Sequence, residues 1–436
     1  MRPAREPRGP RRPRRRLVGF LVVVSLAAAG CGNAPPGRFA GSGGPTPGVT
    51  PTTIRVGGLA AVTGPLGNQY APVFAGAQAY FDMVNANGGV HGREIDLVAK
   101  LDDQTDPSTD VAQARALVER YNVLAVVPVA TPEFQGATYL SNQRVPTFGY
   151  NINPAQWSAG PTMFGQDGSY LDPTGIDVAG PFLAEKLGIE RVAILAYAVA
   201  QSAQCADGQA KSFRQFGFHV GLVDSSLPIG VTDAALSADI ARIASSRAQL
   251  VVMCMDAIGN SKVSESLRRA GLSHVAQYWL NGYDESFLDA FRSQYEGAYL
   301  TVSYVPFQEA SASPGLRTYL AQMRRHFPPG DIGEVSLAGW ISAAMLVEGL
   351  ERAGRDLTRA KLVAAVNSLT HFTAGGIEPA VNWHEDHTST GPLNCSAWVQ
   401  VRHGRFTPVF HEPFVCLPTG ATSVAQLVDQ PGAAGV

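Results

Sequence analysis

Several groupings in the sequence carry side chains able to do chemistry. Asp102, Asp103, Asp106 and Asp110 crowd one turn like a cation loop, but the glycine at the sharp turn and the twelfth-position glutamate of a calcium loop are missing. A solvated turn followed by a helix cap fits that spacing better. His91 lies in a glycine-flanked turn beside Arg93 with no second histidine at ligand spacing, and His384-Glu385-Asp386-His387 is the one local run with metal-like content. No metal or cofactor is expected. The chain has no Gly-x-Ser-x-Gly elbow, no Gly-x-x-x-x-Gly-Lys phosphate loop, and no Gly-x-Gly-x-x-Gly after Ile54–Leu59. An enzyme is therefore not expected; a cleft in which Ser and Asp form a site invisible to linear motifs is the minor alternative.

Charge excludes another class. The 436 residues hold 34 Lys and Arg against 36 Asp and Glu, but eight of the Arg and only one Glu lie in residues 1–16, leaving 26 against 35. A remainder of about −9 lacks the basic footprint that phosphates require, so no nucleic-acid partner is expected. The Arg-rich start runs into an apolar stretch, Leu17 to Ala29, and then Gly30-Cys31. That is an n-region, an h-region and a small-residue cleavage site, too short to span a bilayer that needs about 20 residues. Its end resembles a bacterial lipobox, which would make Cys31 the lipidated N-terminus; repeated Arg leaves both Sec and Tat export open. Residues 1–31 are thus a signal peptide and 32–52, rich in Pro, Gly, Ser and Thr, a disordered tether.

An extracytoplasmic location suits the other cysteines, Cys205, Cys254, Cys395 and Cys416, an even number in an oxidising compartment. Four cysteines allow three pairings. Cys205 with Cys254 and Cys395 with Cys416 is favoured, because each pair then sits at the ends of neighbouring elements.

The elements that must position these residues alternate. Ile54–Leu59 reads as a strand, Phe74, Ala77, Phe81 and Val84 recur at helical spacing, and Asn87-Gly88-Gly89 stops that helix. Ile95–Ala99, a helix from Asp110 to Tyr121, and the apolar run Val123–Val127 continue the series. It restarts at Val192–Ala196, with strands at His219–Val223, Leu250–Met255 and Gln277–Leu280. Tyr299–Val305 reads as a return strand, long helices follow near 335–350 and 359–369, and β-like runs 397–401 and 406–410 close the chain. Alternating strands and helices imply parallel sheets with right-handed crossovers, hence an α/β chain with two doubly wound lobes. Ligands of such sheets sit beyond the carboxyl ends of the strands.

Ile54–Leu59, Thr63-Gly64-Pro65, Asn85–Arg93 and Leu101–Pro107, in this order and spacing, resemble the opening of type I periplasmic binding proteins. The nearest subgroup is the branched-chain amino-acid receptors of ABC importers, and the likeness extends more thinly over residues 53–418. It implies two Rossmann-like lobes joined by a multi-strand hinge: residues 53–175 with about 305–380 as lobe 1, 176–304 with about 381–420 as lobe 2, and 421–436 as a tail. It also implies a substrate-binding lipoprotein, monomeric, anchored to the outer face of the cell membrane. Such a protein captures an amino-acid-like or other polar or aromatic solute and passes it to permease subunits. A solute-sensing ectodomain is the alternative, disfavoured by the lack of a transmembrane or signalling segment in the sequence. The His384–His387 run follows Trp383 where family members have a turn, and reads as an exposed loop.

Site residues follow from strand ends and from the resemblance together. Thr63-Gly64-Pro65 opens a loop whose backbone N–H groups can meet a carboxylate. Thr131 stands at the end of a buried strand where the family offers Ser or Thr to the ligand carboxylate. Asn151 or Asn153 falls in a second family contact region. Tyr70 is close to where the family presents an aromatic, and Trp157 and Tyr283 are further candidates for stacking. In the second lobe the family's Tyr-Gly is replaced by a stretch beginning at Ser202, so its aromatic is expected to be absent. Asp256 stands at a strand end, able to accept from a ligand or to cap the next helix. Tyr283, with Asp284 beside it, falls where amino-acid receptors carry a Glu for the α-ammonium, which puts branched-chain amino acids in doubt.

Overall fold

The computed structural model describes residues 46–66, 68–169, 177–387, 395–410, 413–417 and 420–428. The signal segment, Cys31, the tether up to residue 45 and residues 429–436 lie outside these.

The first series is β1 (Thr53–Ala60), α1 (Val73–Ala86), β2 (Glu94–Asp102), α2 (Pro107–Glu119), β3 (Ala125–Ala130), α3 (Ala137–Asn142), β4 (Thr147–Gly149), α4 (Pro154–Trp157) and β5 (Met163–Gly165). Its strands form a parallel sheet ordered β2-β1-β3-β4-β5. The second series is α5 (Ala179–Lys186), β6 (Arg191–Tyr197), α6 (Ala200–Gln215), β7 (His219–Leu227), α7 (Asp233–Ser245), β8 (Leu250–Cys254), α8 (Ala257–Arg269), β9 (Ala276–Trp279), α9 (Glu285–Ala290), α10 (Arg292–Tyr295) and β10 (Tyr299–Val302). After it come α11 (Pro314–His326), α12 (Glu334–Ala353), α13 (Arg359–Val366) and α14 (Trp383–Asp386). The last elements are β11 (Cys395–Arg402), β12 (Arg405–Pro408), β13 (Val415–Cys416) and α15 (Val424–Val428). The second sheet runs β7-β6-β8-β9-β10-β11-β12, with β13 on β11.

β10 is parallel to β9, so it completes the second series and is no return strand. The chain goes back to the first sheet through α11–α13: α11 and α12 pack on α1, α12 also on β3, and α13 on α12. This return depends on small residues: a Cβ on Gly76 of α1 would lie 1.7 Å from the Ser336 carbonyl oxygen, and one on Gly339 of α12 2.0 Å from that of Val73. The two backbones touch, and the N-terminus of α12 is thereby held at the end of the first sheet.

The ends of the domain are more ordered than their composition suggests. Val49 bridges Ile54, and the Thr46 hydroxyl donates to the Leu357 carbonyl at 2.8 Å, so the packed chain begins before residue 53. Within the expected tail, Leu427 of α15 is fully buried and its helix packs on α5. The last crossover falls later than residue 381, since Trp383 and His387 both pack edge-on against Phe164 of β5. α2 also starts earlier than residue 110: Asp106 caps it, accepting from the Thr109 N–H at 2.7 Å, with Pro107 in its first turn. Disulfides join Cys205 of α6 to Cys254 of β8 and Cys395 of β11 to Cys416 of β13. Among the described residues no helix is long and apolar enough to cross a membrane.

Candidate functional site

In both sheets the strand order reverses beside the first strand, and a doubly wound sheet opens a crevice at the carboxyl ends of the strands flanking that reversal. A cavity of about 250 Å³ lies where these ends come together, near the small end of ligand pockets at roughly 300–1,000 Å³. From the first series it is lined by Leu66, Tyr70, Thr105, Pro132, Glu133, Tyr150 and Ile152. From the second come Tyr197, Val199, Gln201, Ser202, Ile229, Met255, Asp256, Leu280, Asn281 and the Cys205–Cys254 disulfide. The walls are mainly aliphatic and aromatic.

Asp256 joins the two sides. Its Oδ1 accepts from the Gly259 N–H at 2.7 Å, capping α8, and from the Tyr197 hydroxyl at 2.8 Å; Oδ2 accepts from Gln69 Nε2 of the first series at 3.2 Å. The sequence left open whether this carboxylate caps a helix or faces the cleft, and geometrically it does both. Burial and the charge of Asp256 push the hydroxyls of Tyr70 and Tyr197 up, so both phenols stay neutral. Tyr150 donates to Glu334 Oε1 at 2.8 Å. Glu334, in the first turn of α12, is pushed up to about 7 by burial, with Asp284 and Asp167 adding to the rise against the Tyr150 hydrogen bond.

Tyr70, Ser202 and Asp256, expected from sequence, line this cavity. Ser202 is buried, its hydroxyl accepting from the Tyr197 N–H at 2.7 Å and donating to the Cys254 carbonyl, so it fastens the strand ends. The other expected residues stand elsewhere. Thr131 is buried; its hydroxyl accepts from the Glu133 N–H at 3.1 Å and helps offset the rise that burial imposes on Asp103. Asn153 Nδ2 donates to the Thr131 carbonyl at 3.1 Å, and Asn151 Nδ2 to the Gly168 carbonyl at 2.9 Å, both bracing backbone. Tyr283 is buried, donating to Gln308 Oε1 at 2.6 Å and accepting from the Phe307 N–H at 2.7 Å. Asp284 caps α9 through the Ser286 and Phe287 N–H groups. Tyr283 and Asp284 border a separate space of about 30 Å³, shared with Tyr70, Tyr150 and Glu334. Trp157 is packed in the first core against Phe134.

Three donors of the Thr63 loop are taken by Asp102. Val62 and Thr63 N–H groups donate to Asp102 Oδ1 at 2.9 and 3.2 Å, and the Thr63 hydroxyl to Oδ2 at 2.5 Å. Although burial alone would raise it, these bonds hold the Asp102 carboxyl below the ordinary range. The acidic turn is knitted internally: Asp110 accepts from the Gly136 N–H at 2.5 Å, and burial with Asp103 nearby pushes it up to about 8. Among the described residues no three His, Cys, Asp or Glu are arranged to hold a metal. In the run His384–His387, His384 and Glu385 are exposed as expected, whereas His387 is a half-buried brace with its ring nitrogens 2.8 Å from Asn367 Oδ1 and the Met163 carbonyl oxygen.

Sequence reasoning missed Glu133, Tyr150, Ile152 and Tyr197. In the segment 150–153 the side chains alternate, Tyr150 and Ile152 to the cavity and Asn151 and Asn153 to backbone, so strand-like period two was the signal. Tyr197 ends β6 and supplies the second-series aromatic that the Ser202 stretch had suggested was missing.

A family model described as periplasmic binding protein matches residues 53–405. No curated protein sequence matches the chain. Solved structures with similar folds include a fatty acid ABC transporter substrate-binding protein from Thermomonospora curvata (18% identity, 85% of this chain and 94% of that one covered, TM-score 0.68). A branched-chain amino acid ABC transporter protein from Thermus thermophilus with bound valine has 17% identity over 82% and 95% of the two chains, TM-score 0.68. A solute binding protein from R. palustris in complex with benzoate has 17% identity over 82% and 95%, TM-score 0.66. At these identities the structural likeness bears on the fold.

Proposed function

The chain belongs to the periplasmic binding protein family, and from that premise we propose that it is the solute receptor of an ABC importer, capturing a small molecule between its two sheets for delivery to a membrane permease. The observation that carries this reading is the shared cavity: both strand reversals contribute walls to it, and Gln69 and Asp256 bond across it. Contacts from both sides are made together only when the sides are closed on the solute. Ligand then stabilises the closed state by its difference in affinity for the two states. Among the sequence-expected residues, Tyr70 and Asp256 are the proposed ligand-side groups, joined by Glu133, Tyr150 and Tyr197, while Ser202 holds the strand ends beneath them. The mainly aliphatic and aromatic walls of the cavity fit a small ligand with an apolar body. Lipidation at Cys31 would hold the receptor near its permease; Cys31→Ala should release it from membranes into the soluble fraction.

The test is mild denaturation of protein purified from its native host, followed by mass spectrometry of what is released. A stoichiometric solute that raises the melting temperature of stripped protein, and is recovered unchanged after incubation, is expected. Conversion of that solute would overturn the receptor and favour an enzyme.

A further inference from the structure

Several of the groups expected to anchor a ligand carboxylate are occupied by the chain's own acids. Asp102 takes the N–H groups of Val62 and Thr63 and the Thr63 hydroxyl, while Thr131 is engaged by the Glu133 N–H and lies against Asp103. Among the described residues no Lys, Arg or His lines the cavity. Two carboxylates do line it, Glu133 and Asp256, together with three tyrosines, Tyr70, Tyr150 and Tyr197. An anion entering this space would lose its hydration without a paired cation and meet like charge. A cation would find both carboxylates, and aromatic rings of the kind that attract ammonium groups.

On the receptor reading given above, we propose that this cavity selects an organic monocation, a protonated amine or quaternary ammonium on an apolar or aromatic body, and rejects carboxylates and zwitterionic amino acids. The geometry sets the order of preference. Asp256 is held beside the cavity by the α8 cap and by the Tyr197 and Gln69 side chains, so its carboxyl group is fixed in place before any ligand arrives. Burial, with Asp103 and Asp106 nearby, raises the Glu133 carboxyl, and a neighbouring cation would favour its ionised form.

The test uses one hydrocarbon body with four head groups: 2-phenylethylamine, 2-phenylethanol, 3-phenylpropanoate and phenylalanine, titrated calorimetrically into stripped full-length protein at pH 7. The amine is expected to bind at least about tenfold more tightly than the alcohol, with no saturable binding of the propanoate or phenylalanine. Asp256→Asn, which keeps a helix-capping side chain, and Glu133→Gln should each weaken the amine by about fivefold or more and leave the alcohol within about twofold. Equal losses for amine and alcohol would mean that the two acids only shape the cavity, and would overturn the proposal. So would tighter binding of propanoate or phenylalanine, or a carboxylate-bearing solute released from native protein; both leave the receptor reading standing. If no probe binds and no solute is released, both readings fail.

Discussion

In the first sheet the order β2-β1-β3-β4-β5 reverses between β1 and β3; in the second, β7-β6-β8-β9-β10 reverses in the same way between β6 and β8. The two reversals are the same in topology and differ in what their loops do. At the first, Asp102, Asp103 and Thr131 are spent on one another and on loop amides, and the groups left at the cavity are Tyr70, Glu133 and Tyr150. At the second, a disulfide and Ser202 lock the strand ends, while Asp256 and Tyr197 meet in the cavity. Strand order thus decides where a ligand goes, and the satisfaction of polar groups around each strand end decides which ligand it is.

If the second mouth is the braced one, breaking its brace should have the largest effect. Closing a 49-residue separation by Cys205–Cys254 is worth about 4 kcal/mol in the chain-entropy account. In the Cys205→Ser/Cys254→Ser double variant, regional hydrogen exchange should accelerate across β6 to α8 and stay unchanged in β1 to β4. Equal acceleration in both would show that the two regions do not differ.

Next is Glu334, which the first region's helix α12 contributes beside Asp284 of the second. Its carboxyl is pushed from an ordinary 4.5 to about 7, so folding favours the protonated form. That contribution is complete below pH 4.5 and is lost as pH rises to 7 and beyond. Between pH 5 and 8 it amounts to about 2–3 kcal/mol. Urea unfolding of Glu334→Gln should show a pH dependence flatter by about that amount; an unchanged slope would place the titration elsewhere.

Asp256→Ala should lose about 1 kcal/mol of stability with the α8 cap, measurable by urea melts, together with the bonds from Tyr197 and Gln69. Smallest of all is Thr131→Val. Its hydroxyl serves the Glu133 amide and Asp103, so stability should fall by about 1 kcal/mol while solute affinity, read by calorimetry, stays within about twofold. A large loss of affinity would return Thr131 to the ligand.

Most of the fold was legible because buried parallel strands such as Ala125–Ala130 are unbroken apolar runs and their helices carry clear stops such as Asn87-Gly88-Gly89. The sites were legible as strand ends but not as side-chain directions. Asn151 and Asn153 looked like ligand amides because their type suits the task; which face each residue presents is set by pairing β4 between β3 and β5. Asp102 and Thr63 lie 39 residues apart, and their mutual bond has no local signature. Nor could composition show that Val49 would find Ile54, or that Leu427 would bury itself beside α5.

The central claim is that both mouths hold one ligand. Hydrogen exchange of stripped protein with and without the solute recovered from native protein tests it most directly. Slowing at residues 62–74 together with 197–203 and 254–260 is the predicted result; slowing confined to one side of the cavity would contradict it.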